Sequence, residues 1–288
     1  MNRDLPNWRS LLYVPASEER FVAKAHERGA DAIILDLEDG VAPDAKARAR
    51  AGLAASAASA RRNGADIVVR INRPLRMAAE DIAAAAAAGA DGLICTKMMG
   101  ADHVRLLSEL AAESEMAAGR AVGSLRFIVL IEDAAALRHA DAIAAADPRI
   151  VALGVGGEDL ATDLGAEPTP DALELPKRLG LIAARGAGIL PLGFIGTVAG
   201  LKDLEGYRAM LRRSRAIGFA CASCVHPSQV AIINEEYGAR PEEVERAKRL
   251  VAAFDAALAE GKGAVAFEGD MIDRPIVERA KMLIARSG

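Results

Sequence analysis

Short apolar runs alternate with longer stretches of helical period along this chain. "GADAIILD" from Gly29, "GADIVVRI" from Gly64 and "GADGLICT" from Gly89 are three versions of one unit. In each, a glycine able to end a helix in the left-handed conformation precedes an apolar run of strand length. Ala-rich segments of helical period stand before them, over Ser17 to Arg28, Asp44 to Arg62 and Ala78 to Ala88. Further strands are expected over Ser10 to Val14, Leu125 to Ile131, Ile150 to Val155, Ile189 to Phe194 and Phe219 to Val225. Helices are expected over Asp102 to Ala118, Ala134 to Ala146, Asp171 to Ala187 and Lys202 to Ile217.

Eight near-continuous apolar strands alternating with helices predict an α/β fold with parallel strands closed into a (β/α)8 TIM barrel. An open doubly wound sheet is the alternative, but it carries a Gly-rich phosphate turn after its first strand, where this chain reads "YVPASEER". The barrel is expected over residues 1–235. Residues 236–288 then form a C-terminal helical extension of the same domain, a lid or an arm to a neighbouring subunit. Within it, Pro241 to Glu260 reads as a helix with proline and two glutamates in its first turn. "GKGAVAFEGDMIDRP" reads as a Gly-rich connector and Ile276 to Arg286 as a last helix.

Composition narrows the partners. Aromatics are 3% and the net charge is −4, so neither a stacking platform nor a global attraction to nucleic acid or an anionic membrane is expected. There is no charged-then-apolar leader and no apolar run of about 18 residues, which predicts a soluble, cytoplasmic protein. Cys95, Cys221 and Cys224 make a poor disulfide framework. Cys221 and Cys224 are spaced C-x-x-C, but within a strand-like run and without a second ligand pair for zinc. Buried strand thiols are the expected reading.

In such a barrel, chemistry gathers where strands end. The predicted strand ends carry Asp36, Glu38 and Asp39, then Arg70 and Asn72, Lys97, Glu132 and Asp133, Glu158 and Asp159, and His226. Each has a plain alternative. Asp39 or Asp133 would cap the next helix, and His226 would be a hydrogen-bonded structural histidine. Arg20, Lys24 and Arg28 are by default a solvated face. Taken together, Glu132 and Asp159 suit Mg²⁺, a hard cation that takes one or two carboxylates and leaves its other positions to water and substrate. Arg70 suits bidentate binding of a substrate carboxylate, with the "DLEDGV" acids as its counter-charge.

"RSLLYVPAS", "GADAIILDLEDGVAP", "VRIN", "VALGVGGEDLATDLG", "GFACASCVHPSQVAIINEEY" and "GDMIDRP" stand in this order at fitting distances. Over residues 8–285 the chain resembles the citrate lyase beta chain and malyl-CoA lyase family, within the HpcH/HpaI aldolase group. The resemblance implies a Mg²⁺-dependent carbon–carbon lyase acting on β-hydroxyacyl thioesters, as a trimer or a dimer of trimers. It implies Glu132 and Asp159 as metal ligands, Glu132 also facing substrate, and Arg70 as the carboxylate-binding residue. Asp36, Glu38 and Asp39 become supporting acids behind them. Asp273 becomes a lid aspartate that completes a neighbouring subunit's site. Lys97 is expected at the substrate, and Arg9, Lys24 and Lys97 are candidates for CoA phosphates.

The departures lie on the rim. Asp133 follows the metal glutamate where relatives carry threonine, "CTK" replaces "LPK", "LGFIGTV" lacks an aspartate, and no lysine precedes His226. They bear on substrate identity more than on fold. The expected reaction is cleavage or formation of a malyl-, citramalyl- or citryl-type thioester, on CoA or an acyl carrier, with citrate lyase partner subunits if the chain is a true component. Three alternatives stay open: hydrolysis of the same thioester, a Schiff-base aldolase on Lys97, and a barrel that has lost its reaction.

Overall fold

The computed structural model describes residues 5–196 and 203–285. Its strands are β1 (Ser10–Pro15), β2 (Ala32–Asp36), β3 (Asp66–Ile71), β4 (Gly92–Cys95), β5 (Arg126–Ile131), β6 (Ile150–Val155), β7 (Leu190–Leu192) and β8 (Ala222–Cys224). They pair in parallel in the order β7-β6-β5-β4-β3-β2-β1-β8. Leu192 of β7 bridges to Cys221 beside β8, where the Gly193 amide donates to the Cys221 carbonyl at 2.8 Å. The eight strands thus form a nearly closed barrel.

Alternation along each strand decides what the barrel encloses. Ala32 and Ile34, Val68, and Ile128 and Leu130 belong to one buried cluster with Leu11, Ile94, Ala152 and Leu192. The same parity carries that inward face to Tyr13 on β1, Asp36 on β2, Arg70 on β3 and Glu132 just past β5. Register then sets neighbours: Asp36 stands opposite Pro15 on one side and Arg70 on the other.

The helices of this part are α1 (Glu19–Ala25), α2 (Lys46–Ala51), α3 (Leu53–Ala60), α4 (Leu75–Ala87), α5 (Ala101–Ala117), α6 (Ala134–Leu137), α7 (Ala140–Ala144), α8 (Gly157–Asp163), α9 (Pro170–Gly186), α10 (Leu204–Ile217) and α11 (Ser228–Tyr237). Gly29, Gly64 and Gly89 sit at φ of 71°, 85° and 70°, the left-handed helix ends that the repeated "GAD" predicted. The segment from Asp44 to Arg62 is broken into α2 and α3 at Gly52, and Ala134 to Ala146 into α6 and α7. Helix α8 was not expected. The starting residue of the helix expected from Lys202, the Thr197 and Val198 of "LGFIGTV", and Arg286 lie outside the described residues.

The chain divides into two compact units, Met1–Glu236 and Tyr237–Gly288. The second holds α12 (Pro241–Ala259), β9 (Val265–Phe267), β10 (Asp270–Ile272) and α13 (Arg274–Ala285), around a core that includes Leu250, Phe254, Ile272 and Val277. Where a connector was expected, β9 and β10 form an antiparallel hairpin turned by Glu268 and Gly269. Cys95, Cys221 and Cys224 are buried, and none is in a disulfide. Among the described residues, no helix is long and apolar enough to cross a membrane.

Candidate active site

A cavity of about 430 Å³ opens at the C-terminal ends of the strands. Its lining includes Tyr13, Asp36, Asp39, Arg70, Glu132, Glu158, Asp159 and Lys177, with apolar wall from Leu130, Val155, Leu192 and Phe194.

Arg70 is held from two sides. Its Nε and Nη2 donate to the two oxygens of Asp36 at 2.7 and 2.6 Å, and its Nη1 lies 2.8 Å from a Glu38 oxygen. The guanidinium carbon sits 4.9 Å from the centre of the Tyr13 ring, within cation–π range. Burial works against its charge, but Asp36 and Glu38 outweigh burial and raise its pKa above the ordinary arginine range. A guanidinium has five N–H donors; the carboxylates take three, which leaves two for a ligand. Asp36 is itself fixed, since it accepts from the amides of Glu38 and Gly40 at 2.8 and 2.9 Å.

Glu132 is 6% exposed and accepts a 2.6 Å hydrogen bond from the Lys97 amide. That amide is aimed by a left-handed backbone at Lys97, φ 50°, a costly conformation for a lysine. Burial pushes the Glu132 carboxyl up to about 7 against the pull of that amide, and the charges of Asp159 and Glu38 push it the same way as burial. Among the described residues neither Glu132 nor Asp159 has an ion-pair partner. Nor does any group of three or more His, Cys, Asp or Glu form a ready-made metal cage. Two carboxylates without an ion-pair partner on the wall of one cavity are the donor set Mg²⁺ takes when water and substrate complete its shell. The residues present fit that ion.

The other candidates separate. Lys97 is absent from the cavity lining; its ammonium sits 2.5 Å from Glu38 and 3.3 Å from Asp39. Burial opposes that charge, but Glu38 outweighs it and holds the Lys97 pKa above the usual lysine range, the reverse of what a Schiff-base lysine needs. Asp39 faces Lys97, so the triplet divides: Asp36 and Glu38 hold Arg70, while Glu38 and Asp39 hold Lys97. Asp133 accepts from the Ala136 amide at 2.6 Å and caps α6. His226 is exposed and bonded to Ser228, with Nδ1 2.8 Å from its hydroxyl. Arg9 is spent on Asp31, its Nη2 2.7 Å from the carboxylate. Lys24 is an exposed residue of α1. Asp273, in the second unit, is exposed, and one of its oxygens accepts from the Ile276 amide at 3.4 Å at the start of α13.

Tyr13 and Lys177 are lining residues that the sequence reading passed over. Tyr13 was passed over because it reads as one more apolar strand position. Lys177 sits inside an amphipathic helix, where a lysine reads as surface; it is 8% exposed instead.

Comparison with known proteins agrees with this architecture. The family described as HpcH/HpaI aldolase/citrate lyase matches residues 9–227. A (3S)-malyl-CoA thioesterase of Cereibacter sphaeroides is 33% identical over 97% of this chain and 94% of its own length. An L-malyl-CoA/beta-methylmalyl-CoA lyase of the same species is 32% identical over 98% and 95%. The crystal structure of Mycobacterium tuberculosis CitE, in complex with magnesium, acetoacetate and coenzyme A, superposes with a TM-score of 0.74 at 32% identity, covering 97% of each chain. With a barrel of this build and a match over most of its length, the chain belongs to the HpcH/HpaI aldolase/citrate lyase family.

Proposed function

We propose that this chain is a Mg²⁺-dependent lyase acting on a β-hydroxyacyl thioester of the malyl, citramalyl or citryl type, which it cleaves to an α-keto acid and an acyl thioester or forms in reverse. The observation that carries the reading is one cavity holding two carboxylates without a counter-charge and an arginine with two N–H groups to spare. The similarity to a malyl-CoA lyase and to a CitE solved with magnesium, acetoacetate and coenzyme A supports the same choice.

Glu132 and Asp159 would hold the Mg²⁺, which when bound supplies Lewis acidity at the substrate's hydroxyl and carboxylate oxygens. Arg70 receives the substrate carboxylate with its two remaining donors, and Asp36 and Glu38 keep the guanidinium from turning away. Leu130, Leu192 and Phe194 give the carbon–carbon bond an apolar wall. A base takes the hydroxyl proton; Asp273 of a neighbouring copy, an exposed carboxylate, is our candidate. The hydroxyl carbon becomes the keto carbon as the bond breaks. The bonding pair passes to the thioester as its enolate, which a proton then quenches. This arrangement calls for a homo-oligomer, a trimer or hexamer, with residues 236–288 as its arm.

A second reading, hydrolysis, has a specific support: the thioesterase relative is as similar as the lyase. Water would then add to the thioester carbonyl and the thiol would leave.

One assay separates the two. The protein with Mg²⁺ is given malyl-, citramalyl- and citryl-CoA, with EDTA and Glu132→Gln as controls. Keto acid plus acyl-CoA is the expected product and names the substrate. Free CoA with intact hydroxy acid would replace the lyase reading by the thioesterase. Unchanged turnover in Glu132→Gln would overturn the metal assignment.

A further inference from the structure

Lys177 is the cavity residue that the chemistry above leaves idle. It projects from α9 and is buried, with Nζ donating to the backbone carbonyls of Phe194 (3.1 Å) and Gly196. The ammonium also lies 5.1 Å from the centre of the Phe194 ring.

An ammonium has three donors, and the two carbonyls leave one, on a residue that lines the cavity. The strand-end cations face carboxylates: Arg70 has Asp36 and Glu38, and Lys97 has Glu38 and Asp39. Lys177 has no ion-pair partner among the described residues. Burial pushes its pKa down to about 8, against the opposing charge of exposed Glu158. A buried charge without a counter-charge is costly, so this protein carries an ammonium short of an anion.

Position says which part of a ligand would meet it. In an eight-stranded barrel β7 stands across from β3. The carbonyls that seat Lys177 follow β7, and Arg70 ends β3. A ligand whose first carboxylate is on Arg70 and that extends across the barrel therefore runs toward the β7 side, where Lys177 is seated.

We infer that Lys177 is a specificity residue: it receives a second carboxylate of the substrate across the cavity from Arg70, so the site favours a hydroxyacyl thioester whose keto-acid half is a dicarboxylate. This rests on the lyase or thioesterase reading of the same cavity, and it narrows the substrate class within it. The alternative, a lysine that only ties the end of β7 in place, predicts no dependence on ligand charge.

The test is calorimetric binding of three α-keto acids to the Mg²⁺-loaded full chain: oxaloacetate, its 4-amide and pyruvate. The wild-type protein should bind oxaloacetate at least about tenfold more tightly than the other two, the factor that one charge-assisted hydrogen bond supplies. Lys177→Gln can still donate to the two carbonyls but carries no charge. It should bring oxaloacetate to within about threefold of the amide, with pyruvate affinity nearly unchanged. Equal affinity of the wild-type protein for oxaloacetate and its amide would overturn the inference without any variant. A preference that survives in Lys177→Gln would overturn it too. If the wild-type protein binds none of the three, the proposed function itself falls, and this inference with it. Binding all three alike removes only the role of Lys177.

Discussion

Glu132 is buried beside two other carboxylates, and its raised pKa has consequences in both directions of pH. A metal ligand must be deprotonated, so Mg²⁺ affinity should fall as pH drops below about 7, the value to which burial lifts this carboxyl. In the metal-free protein the sign for stability is opposite. The folded group holds its proton to about 7, while an unfolded glutamate releases it near 4.3. Folding therefore gains from Glu132 below about pH 4.3 and loses that gain as pH rises through 7. In EDTA, urea unfolding of Glu132→Gln should lack this decline. Gly156 tests the position of the same carboxyl. Its φ of −75° suits any residue, but an added Cβ would lie 2.6 Å from the Glu132 side chain. Gly156→Ala should cost about 1–3 kcal/mol as overpacking and weaken Mg²⁺ binding at least about tenfold; calorimetry that finds wild-type affinity would separate Glu132 from the metal.

Among the elements, α5 is fastened at the opposite end of the barrel by a pair that the proposed chemistry does not touch. Glu115 on α5 has no exposed surface, and its carboxylate accepts from Arg149 at 2.7 and 2.8 Å and from the Gly123 and Leu125 amides at 2.8 and 2.6 Å. Burial would raise its pKa, but Arg149 and the two amides outweigh burial and hold it below the usual glutamate range. Its contribution is present above the unfolded pKa of about 4.3 and is lost as pH falls through the lower folded value. Glu115→Ala strands a buried arginine and should destabilise the barrel by about 3–5 kcal/mol at pH 7, read by urea unfolding, with the difference shrinking in acid. The same scale shows why one element escaped the sequence. The β9–β10 hairpin turns on Glu268 at φ 51° and Gly269 at φ 95°. Two positive φ values are the hairpin turn that Asn-Gly or Asp-Gly advertises, and Glu-Gly carries no such signal.

For the whole molecule, anything that binds the folded state alone raises its stability by mass action. Mg²⁺ at about 100 times its Kd should add about 2.7 kcal/mol to unfolding. The melting temperature should rise with the ion in the wild-type protein and stay flat in Glu132→Gln. A rise in both would place the ion elsewhere. Residues 237–288 carry an apolar core of their own, with Leu250, Phe254 and Val277 buried in it, so the extension is more than a closing tail. We expect it to matter to assembly: Asp273→Asn should depress turnover while leaving Mg²⁺ affinity as in the wild-type protein, because Asp273 is no part of the proposed donor set, Glu132 and Asp159.

The barrel and much of its inward charge could be read from the chain alone, because both follow from local rules. Glycines at left-handed helix ends punctuate the strands, and a period of two puts Asp36, Arg70 and Glu132 on the face that continues Ile34, Val68 and Leu130. The acids of "DLED" could be read as the counter-charge of Arg70, but not which acid goes to which cation, because that depends on atoms brought together from separate elements. Only folding divides "DLED" between Arg70 and Lys97, turns the Lys97 amide onto Glu132, and draws Lys177 out of a helix into the cavity. A lysine in an amphipathic helix has the same local pattern whether it ends in water or beneath a strand; what distinguishes them is the packing of α9 against β6 and β7.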